Sequence, residues 1–293
     1  MAIAEPSVAF DVTAPARVRR RIGAGMSGRV SAVDWIAIGA LGALTLLCIV
    51  IPWLAPHSST APAGPSFTRP FHGGFVLGTD EVGRDLLSRV LIGLRASWLA
   101  SLVVIASGVL IGGAVGLVAG YCGGWIDGLL MRITDVFLAL PGPILAIAVV
   151  AALGPSLPHT LIAVAVVWWP FYARIVRGEI KALASRPHLE AARLAGAKRG
   201  RLMLRHLLPG AVPATVVTAS LDVGNLVLTL SALSFLGLGA PAPAPELGAM
   251  AARGLPYLLE QWWVPVVPGL AVFMLALVAN LAGDGLRDLI GDR

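Results

Sequence analysis

The chain has 293 residues, 57% of them apolar and only 13% charged, with a mean hydropathy of +0.84 and a formal net charge of +6. That balance excludes an ordinary soluble domain and makes the membrane span the unit to count. The positive charge is not a nucleic-acid footprint, because it sits in loops between apolar runs, and Cys48 and Cys122, one within a predicted span and one at the end of another, argue against a disulfide framework or zinc site.

Residues 1–33 read as a cytoplasmic tail carrying Arg17, Arg19, Arg20, Arg21 and Arg29. The basic run lies well inside the chain and a long apolar run follows, which is not a secretory-signal pattern. Residues 34–54 form the first predicted span, long enough for about 30 Å of hydrocarbon, with Trp35 and Trp53 as interfacial anchors. Residues 55–96 read as external: a loop rich in Pro, Ser and Gly, then an amphipathic helix. Leu86, Leu87, Val90, Leu91 and Leu94 make its apolar stripe, with Arg84, Arg89 and Arg95 beside it.

The core, 97–282, holds five further predicted spans. The second span of the chain, at about 98–120, carries Gly108, Gly112, Gly116 and Gly120 at strict four-residue spacing. One helix face is therefore bare, and a neighbour can approach backbone to backbone. The third, at about 130–153, is interrupted by Pro141 and Pro143, which predict a kink. The fourth, at about 161–176, passes through Trp168, Trp169 and Pro170 into a polar loop, 177–208. The fifth, 209–236, holds Asp222 and Asn225, the most interior polar pair. A carboxylate at that depth costs about 2.5–3.5 kcal/mol on insertion scales, so Asp222 must face the bundle interior, a water-filled path or a partner. A Pro-rich external segment, 240–262, contains Glu246, Arg253 and Glu260; the sixth span, 263–281, and a cytoplasmic tail, 283–293, end the chain.

Within the polar loop, Glu190 to Arg199 lacks Pro and is rich in Ala, Leu, Arg and Lys, which predicts a short helix. Ala191, Ala192, Ala195 and Gly196 give it an unusually small surface that another protein could approach closely. Glu190, near the helix start, suits the positive end of the dipole. Gly196 costs about 1 kcal/mol against Ala in a helix, so it marks close packing or a turn. On chemistry alone the loop fits a basic segment on acidic headgroups equally well. With six spans and the N-terminus inside, seventeen of the 22 basic residues fall on inner segments. The positive-inside rule then places both termini and this loop in the cytoplasm.

Neither Lys181 nor Lys198 follows a glycine, so no P-loop exists in the chain. No His/Asp/Glu cluster has metal-ligand spacing, and His57, His72, His159, His188 and His206 are scattered among loops. An enzyme is not expected.

Glu190-Ala191-Ala192, three residues, Gly196, then Leu208-Pro209 is the spacing of the EAA loop, and the chain resembles the permease subunits of binding-protein-dependent ABC importers. Ala173–Arg177, Arg205-His206, the run Gly78-Thr79-Asp80, Gly83-Arg84-Asp85, Leu86–Arg89, and Leu233–Gly239 resemble the dipeptide/oligopeptide/nickel branch, so the likeness extends from about residue 30 onward. The departures are local. Glu246-Leu247 stands where an aromatic is usual, Leu230 where a Glu is frequent, and Asp292-Arg293 lacks the usual proline.

The resemblance implies an all-α integral membrane protein of the type I ABC importer permease fold, with six transmembrane helices and cytoplasmic termini, in the bacterial inner membrane. It implies that Glu190, Ala191, Ala192, Gly196, His206, Leu208 and Pro209 couple the chain to two ATP-binding subunits, which hold ATP and Mg²⁺; this chain needs no cofactor. Its other implied partners are a second, usually non-identical permease, an extracytoplasmic substrate-binding protein and membrane lipid. The extended N-terminal tail and the GTD-x-x-GRD run suggest the second permease of the pair. Peptides are the first cargo implied, with nickel, glutathione or another small solute behind them. In that frame Asp222 and Asn225 either line the translocation path and meet a cationic substrate end, or pair with a polar group of the partner permease. A secondary transporter would need internal repeats and several intramembrane ionisable groups, and a non-transporting scaffold leaves the EAA spacing unexplained.

Overall fold

The computed structural model describes residues 32–291, and all its long elements are helices. The basic run Arg17–Arg29 and the terminal Asp292-Arg293 lie outside the described residues. The helices are α1 (Ala32–Leu54), α2 (Leu86–Cys122), α3 (Gly124–Ala139), α4 (Gly142–Leu153), α5 (Leu157–Ala184), α6 (Pro187–Leu194), α7 (Arg199–Leu202), α8 (Leu208–Phe235), α9 (Leu247–Gly254) and α10 (Trp263–Gly291). Four stretches are long and apolar enough to cross a membrane: Leu86–Cys122, Leu157–Ala184, Arg199–Phe235 and Trp263–Asp288. The pair α3 and α4 makes a fifth if counted as one span, and the apolar stretch Gly42–Leu54 of α1 is shorter.

The predicted kink in the third span is a break. α3 and α4 meet at 88°. Leu140 is extended (φ −90°, ψ 138°), as the ring of a following proline demands, and Pro143 sits in the first turn of α4, where a missing N–H costs nothing. One proline therefore ends a helix and the other begins one.

The expected amphipathic helix and second span are a single 37-residue helix, α2, whose N-cap Asp85 accepts from the Ser88 amide. Its first turns do not lie at a surface with solvated arginines. Arg84 and Arg89 are buried at 5% and 1% exposure, inside a knot made by residues 56–89. Asp80 organises that knot. It accepts from the Arg84 amide at 2.9 Å and from Arg84 Nε at 2.7 Å, and lies 3.4 Å from Arg89 Nε. Arg89 Nη1 also donates to the carbonyls of Ser59 and Pro243, tying the knot to the loop after α8. Charge pairing and carbonyl capping let cations occupy positions that hydropathy assigns to a surface.

The glycine face of α2 packs on α5. A Cβ at Gly112 would lie 2.3 Å from the Trp169 carbonyl, and one at Gly116 2.5 Å from that of Ala173. Gly108 faces the Tyr172 ring and Gly120 faces Ile180, so α2 and α5 run parallel in close register. α8 and α10 run antiparallel: Gly224 abuts Asn280 and Gly283 abuts the Ser220 backbone. These contacts sort the molecule into two ends. One holds the knot, α9 and the start of α10, where Trp263 Nε1 reaches the Thr79 carbonyl at 3.4 Å. The other holds α6, α7 and the end of α5. α9 lies inside the segment read as a Pro-rich external loop, and α10 continues helically through the residues read as a tail.

Candidate functional site: the α6 loop and the Asp222 cavity

The loop between α5 and α8 is pinned by one residue. Leu189 is fully buried in an apolar cluster with Val176, Ile180, Leu183, Leu207 and Ala211, which joins α6 to the ends of both long helices. Around that anchor Glu190 and Ala191 are exposed, and Leu194 is 90% exposed. The helix is shorter than expected: it ends at Leu194, and Arg199 belongs to α7. The reason is Gly196. Its φ is +81°, the Ala197 amide bonds back to the Ala192 carbonyl at 3.1 Å, and no atom lies within 4 Å of its would-be side chain. This is a left-handed Schellman stop, and of the two roles open to Gly196 it is the turn. The three-residue gap between Ala192 and Gly196 is thus a helix-length code. His206 is exposed in a π-helical turn, Met203–Leu207, that leads into α8, where Leu208 and Pro209 are also exposed. The seven loop residues share one end of the molecule, all in the segment pinned by Leu189.

Deeper in the bundle, Asp222 on α8 is buried at 8% exposure. Trp168 Nε1 donates to its Oδ2 at 2.7 Å and Tyr172 Oη donates to the same oxygen at 3.1 Å. Trp168 and Tyr172 are one turn apart on α5, hence on one face. Hydropathy gives neither residue a polar role, although two aromatics with donor groups at that spacing opposite a membrane carboxylate are a readable signal. Asp222 also lines a cavity of about 380 Å³ between α4, α5 and α8, with Pro143, Val164, Trp168, Asn225 and Thr229. Asp222 and Asn225 are thus brought to one wall. The break at Pro141–Pro143 supplies part of the opposite wall.

A third arrangement ties α3 to α5. Asp127 on α3 accepts from Arg177 at 2.5 and 2.8 Å and from Lys181 Nζ at 2.6 Å, and Arg174 bonds Asp135 at 2.6 Å. The lower half of α5 is therefore stapled to α3 by charge. Hydropathy does not reveal this, because the pairing joins residues about fifty positions apart.

Comparison with known proteins gives one consistent neighbourhood. The family model described as "Binding-protein-dependent transport system inner membrane component" matches residues 112–293. The chain is 43% identical over 247 residues to the probable D,D-dipeptide transport system permease protein DdpC of Escherichia coli K12, covering 84% of this chain and 83% of the relative. It is 40% identical over 264 residues to the di/tripeptide transport system permease protein DppC of Pseudomonas aeruginosa, covering 86% and 87%. It is 44% identical over 214 residues to the glutathione transport system permease protein GsiD of Pectobacterium atrosepticum, covering 73% and 71%. Among solved structures, a chain of the inward-facing MetNI methionine ABC transporter aligns with TM-score 0.55 at 22% identity, over 69% of this chain and 96% of that one. That likeness concerns the fold.

Proposed function

We propose that this chain, which belongs to the family of binding-protein-dependent transport system inner membrane components, is a permease subunit of an ATP-driven importer of short peptides. The relatives named for dipeptides, di/tripeptides and glutathione, itself a peptide, support that cargo class. The reading places the chain in a bacterial inner membrane with six spans and both termini in the cytoplasm, α1 being the first span and α3–α4 the third. A second permease completes the path, two ATP-binding subunits drive it, and an external binding protein delivers substrate.

The observation that carries the reading is the position of α6. It joins α5 to α8, and those two helices hold the hydrogen-bonded trio of Trp168, Tyr172 and Asp222. A partner ATPase seated on exposed Glu190 and Ala191, with half-buried Ala192 beside them, would move Leu189, and with it the ends of both helices. The same rigid motion would reshape the Asp222 cavity, which is alternation of access by helices moving as bodies. Asp222 and Asn225 would then meet a cationic substrate end within the path.

The test is ATP hydrolysis by the complex purified with its co-expressed neighbours in lipid, with binding protein and a panel of peptides, glutathione and nickel. Gly196→Val forces a β-branched residue into a left-handed conformation, at about 1–2 kcal/mol, and should abolish peptide stimulation. Gly196→Asn, which tolerates that conformation, should retain it. A complex without ATPase, or equal stimulation in both variants, would overturn the coupling role.

A further inference from the structure

A second pocket, of about 120 Å³, lies at the opposite end from α6, between the first turns of α2, the end of α8 and the loop 240–246. Its walls are mostly apolar, with Ile92, Ala100 and Leu157 among them, but one carboxylate and three hydroxyls line it: Glu246, Ser97, Ser231 and Ser234.

Glu246 occupies the N-cap position of α9 in extended conformation but makes no side-chain cap bond to its own helix. The carboxylate turns inward instead. One oxygen accepts from Ser234 Oγ and the other from the Ala240 amide at 2.5 Å. Gly239 makes the room, since a Cβ there would lie 2.3 Å from Glu246 Oε2. Glu246 is 8% exposed, and none of the ion pairs among the described residues includes it. Arg89 touches the same loop only through Nη1, which donates to the carbonyls of Ser59 and Pro243, and its Nε faces Asp80; Arg253, beside the loop on α9, forms no ion pair with Glu246 either.

Ser231 supplies an independent observation. It is 9% exposed, its Oγ has no hydrogen-bond partner, and it lines the same pocket. Buried charges and buried hydroxyls are ordinarily paired. Here a carboxylate without a cation and a hydroxyl without a partner meet across one small space. A ligand that satisfies both carries a positive charge and several N–H donors. A primary ammonium fits, with three donors and no acceptor. A hard divalent ion fits poorly, because it seeks six or more oxygens. At about 30 Å³ per water, the space equals roughly four waters. It takes an ammonium head with a short first side chain, not a whole peptide.

We infer that this pocket is a receiving site for the N-terminal ammonium group of the incoming peptide, held by Glu246 and Ser231 at the outer mouth, ahead of Asp222. The site rests on the peptide-import reading for its cargo and on the proposed topology for its side. It selects peptides with a free amino terminus and a small first residue.

The test uses the whole complex in lipid, with two probes that need no transport. Glycinamide presents the ammonium; in N-acetylglycinamide a neutral acetamide group stands in its place. Glycinamide should raise the thermal midpoint of the wild-type complex and the acetylated probe should not. Glu246→Gln should require about tenfold more glycinamide for the same shift. Ser231→Ala, which leaves both Glu246 bonds intact, should weaken it in the same direction and serves as the test should the Gln variant fail to assemble. Shifts equal in wild type and both variants, or equal for the two probes, would overturn the site. A Glu246-dependent glycinamide shift in a complex whose ATPase no peptide stimulates would instead sink the cargo reading and leave the ammonium site standing.

Discussion

The contact between α2 and α5 gives the sharpest quantitative expectation. Gly112 and Gly113 are neighbours in one helix, so their propensities, depth and lipid environment are nearly the same. They differ in what a single methyl would meet. At Gly112 a Cβ would approach the Trp169 carbonyl to 2.3 Å and the Ala173 amide nitrogen and Tyr172 Cβ to 2.8 Å. At Gly113 nothing lies within 4 Å. Two of the three atoms at Gly112 are backbone, so no rotamer change relieves the clash, and α5 must retreat by about 1 Å. A gap of that size forfeits a quarter to a half of each dispersion contact it opens. The expected cost of Gly112→Ala is therefore about 1–3 kcal/mol, whereas Gly113→Ala should be neutral or gain up to about 1 kcal/mol from helix propensity. Thermal unfolding of the purified complex should separate the two by several degrees. Because Tyr172 and Trp168 ride on the displaced face, Gly112→Ala should also reduce uptake more than it reduces complex recovery. Equal midpoints for the two variants would refute the claim that backbone contact, not glycine content, fixes this helix pair.

Asp222→Asn keeps an acceptor for Trp168 and Tyr172 while removing the charge. A complex of near wild-type stability with roughly tenfold weaker uptake of peptides is expected from a charge that meets the cargo, and unchanged uptake from an unstable complex would assign Asp222 to structure instead. Asp222→Ala strands both donors and should cost about 1–3 kcal/mol for each buried group left unpaired, read as a lower unfolding midpoint. Asp127→Asn removes the charge and one of the two acceptor oxygens that hold Arg177 and Lys181, and so weakens the staple of α3 to α5. It should uncouple ATP hydrolysis from uptake, with a raised basal rate and less peptide imported per ATP. Coupling equal to wild type would make the staple passive.

Much of this protein is written in local sequence. Apolar runs of membrane length, glycines every fourth residue and the EAA spacing are one-dimensional patterns. From them follow the helical class, the bare face of α2 and the family to which the chain belongs. The α6 helix was legible in composition, but its end was not, because whether Gly196 packs or turns depends on a backbone angle and not on propensity. The 88° break was visible only as two prolines, since a kink and a stop share that signature until Leu140 commits to an extended conformation. Tertiary structure alone decided the rest. Arg84 and Arg89 are buried because Asp80 and distant carbonyls reach them; Asp222 is paired because α5 presents Trp168 and Tyr172 at its depth; Glu246 lines a pocket because Gly239 lets its carboxylate turn inward. The contacts of Asp80 with Arg84 and Arg89 and those of Glu246 are made within about a dozen residues, but the carbonyls on Arg89 and the partners of Asp222 come from 30 to 154 positions away; they are set by where the chain returns in space, which hydropathy, scoring residues one at a time, does not encode.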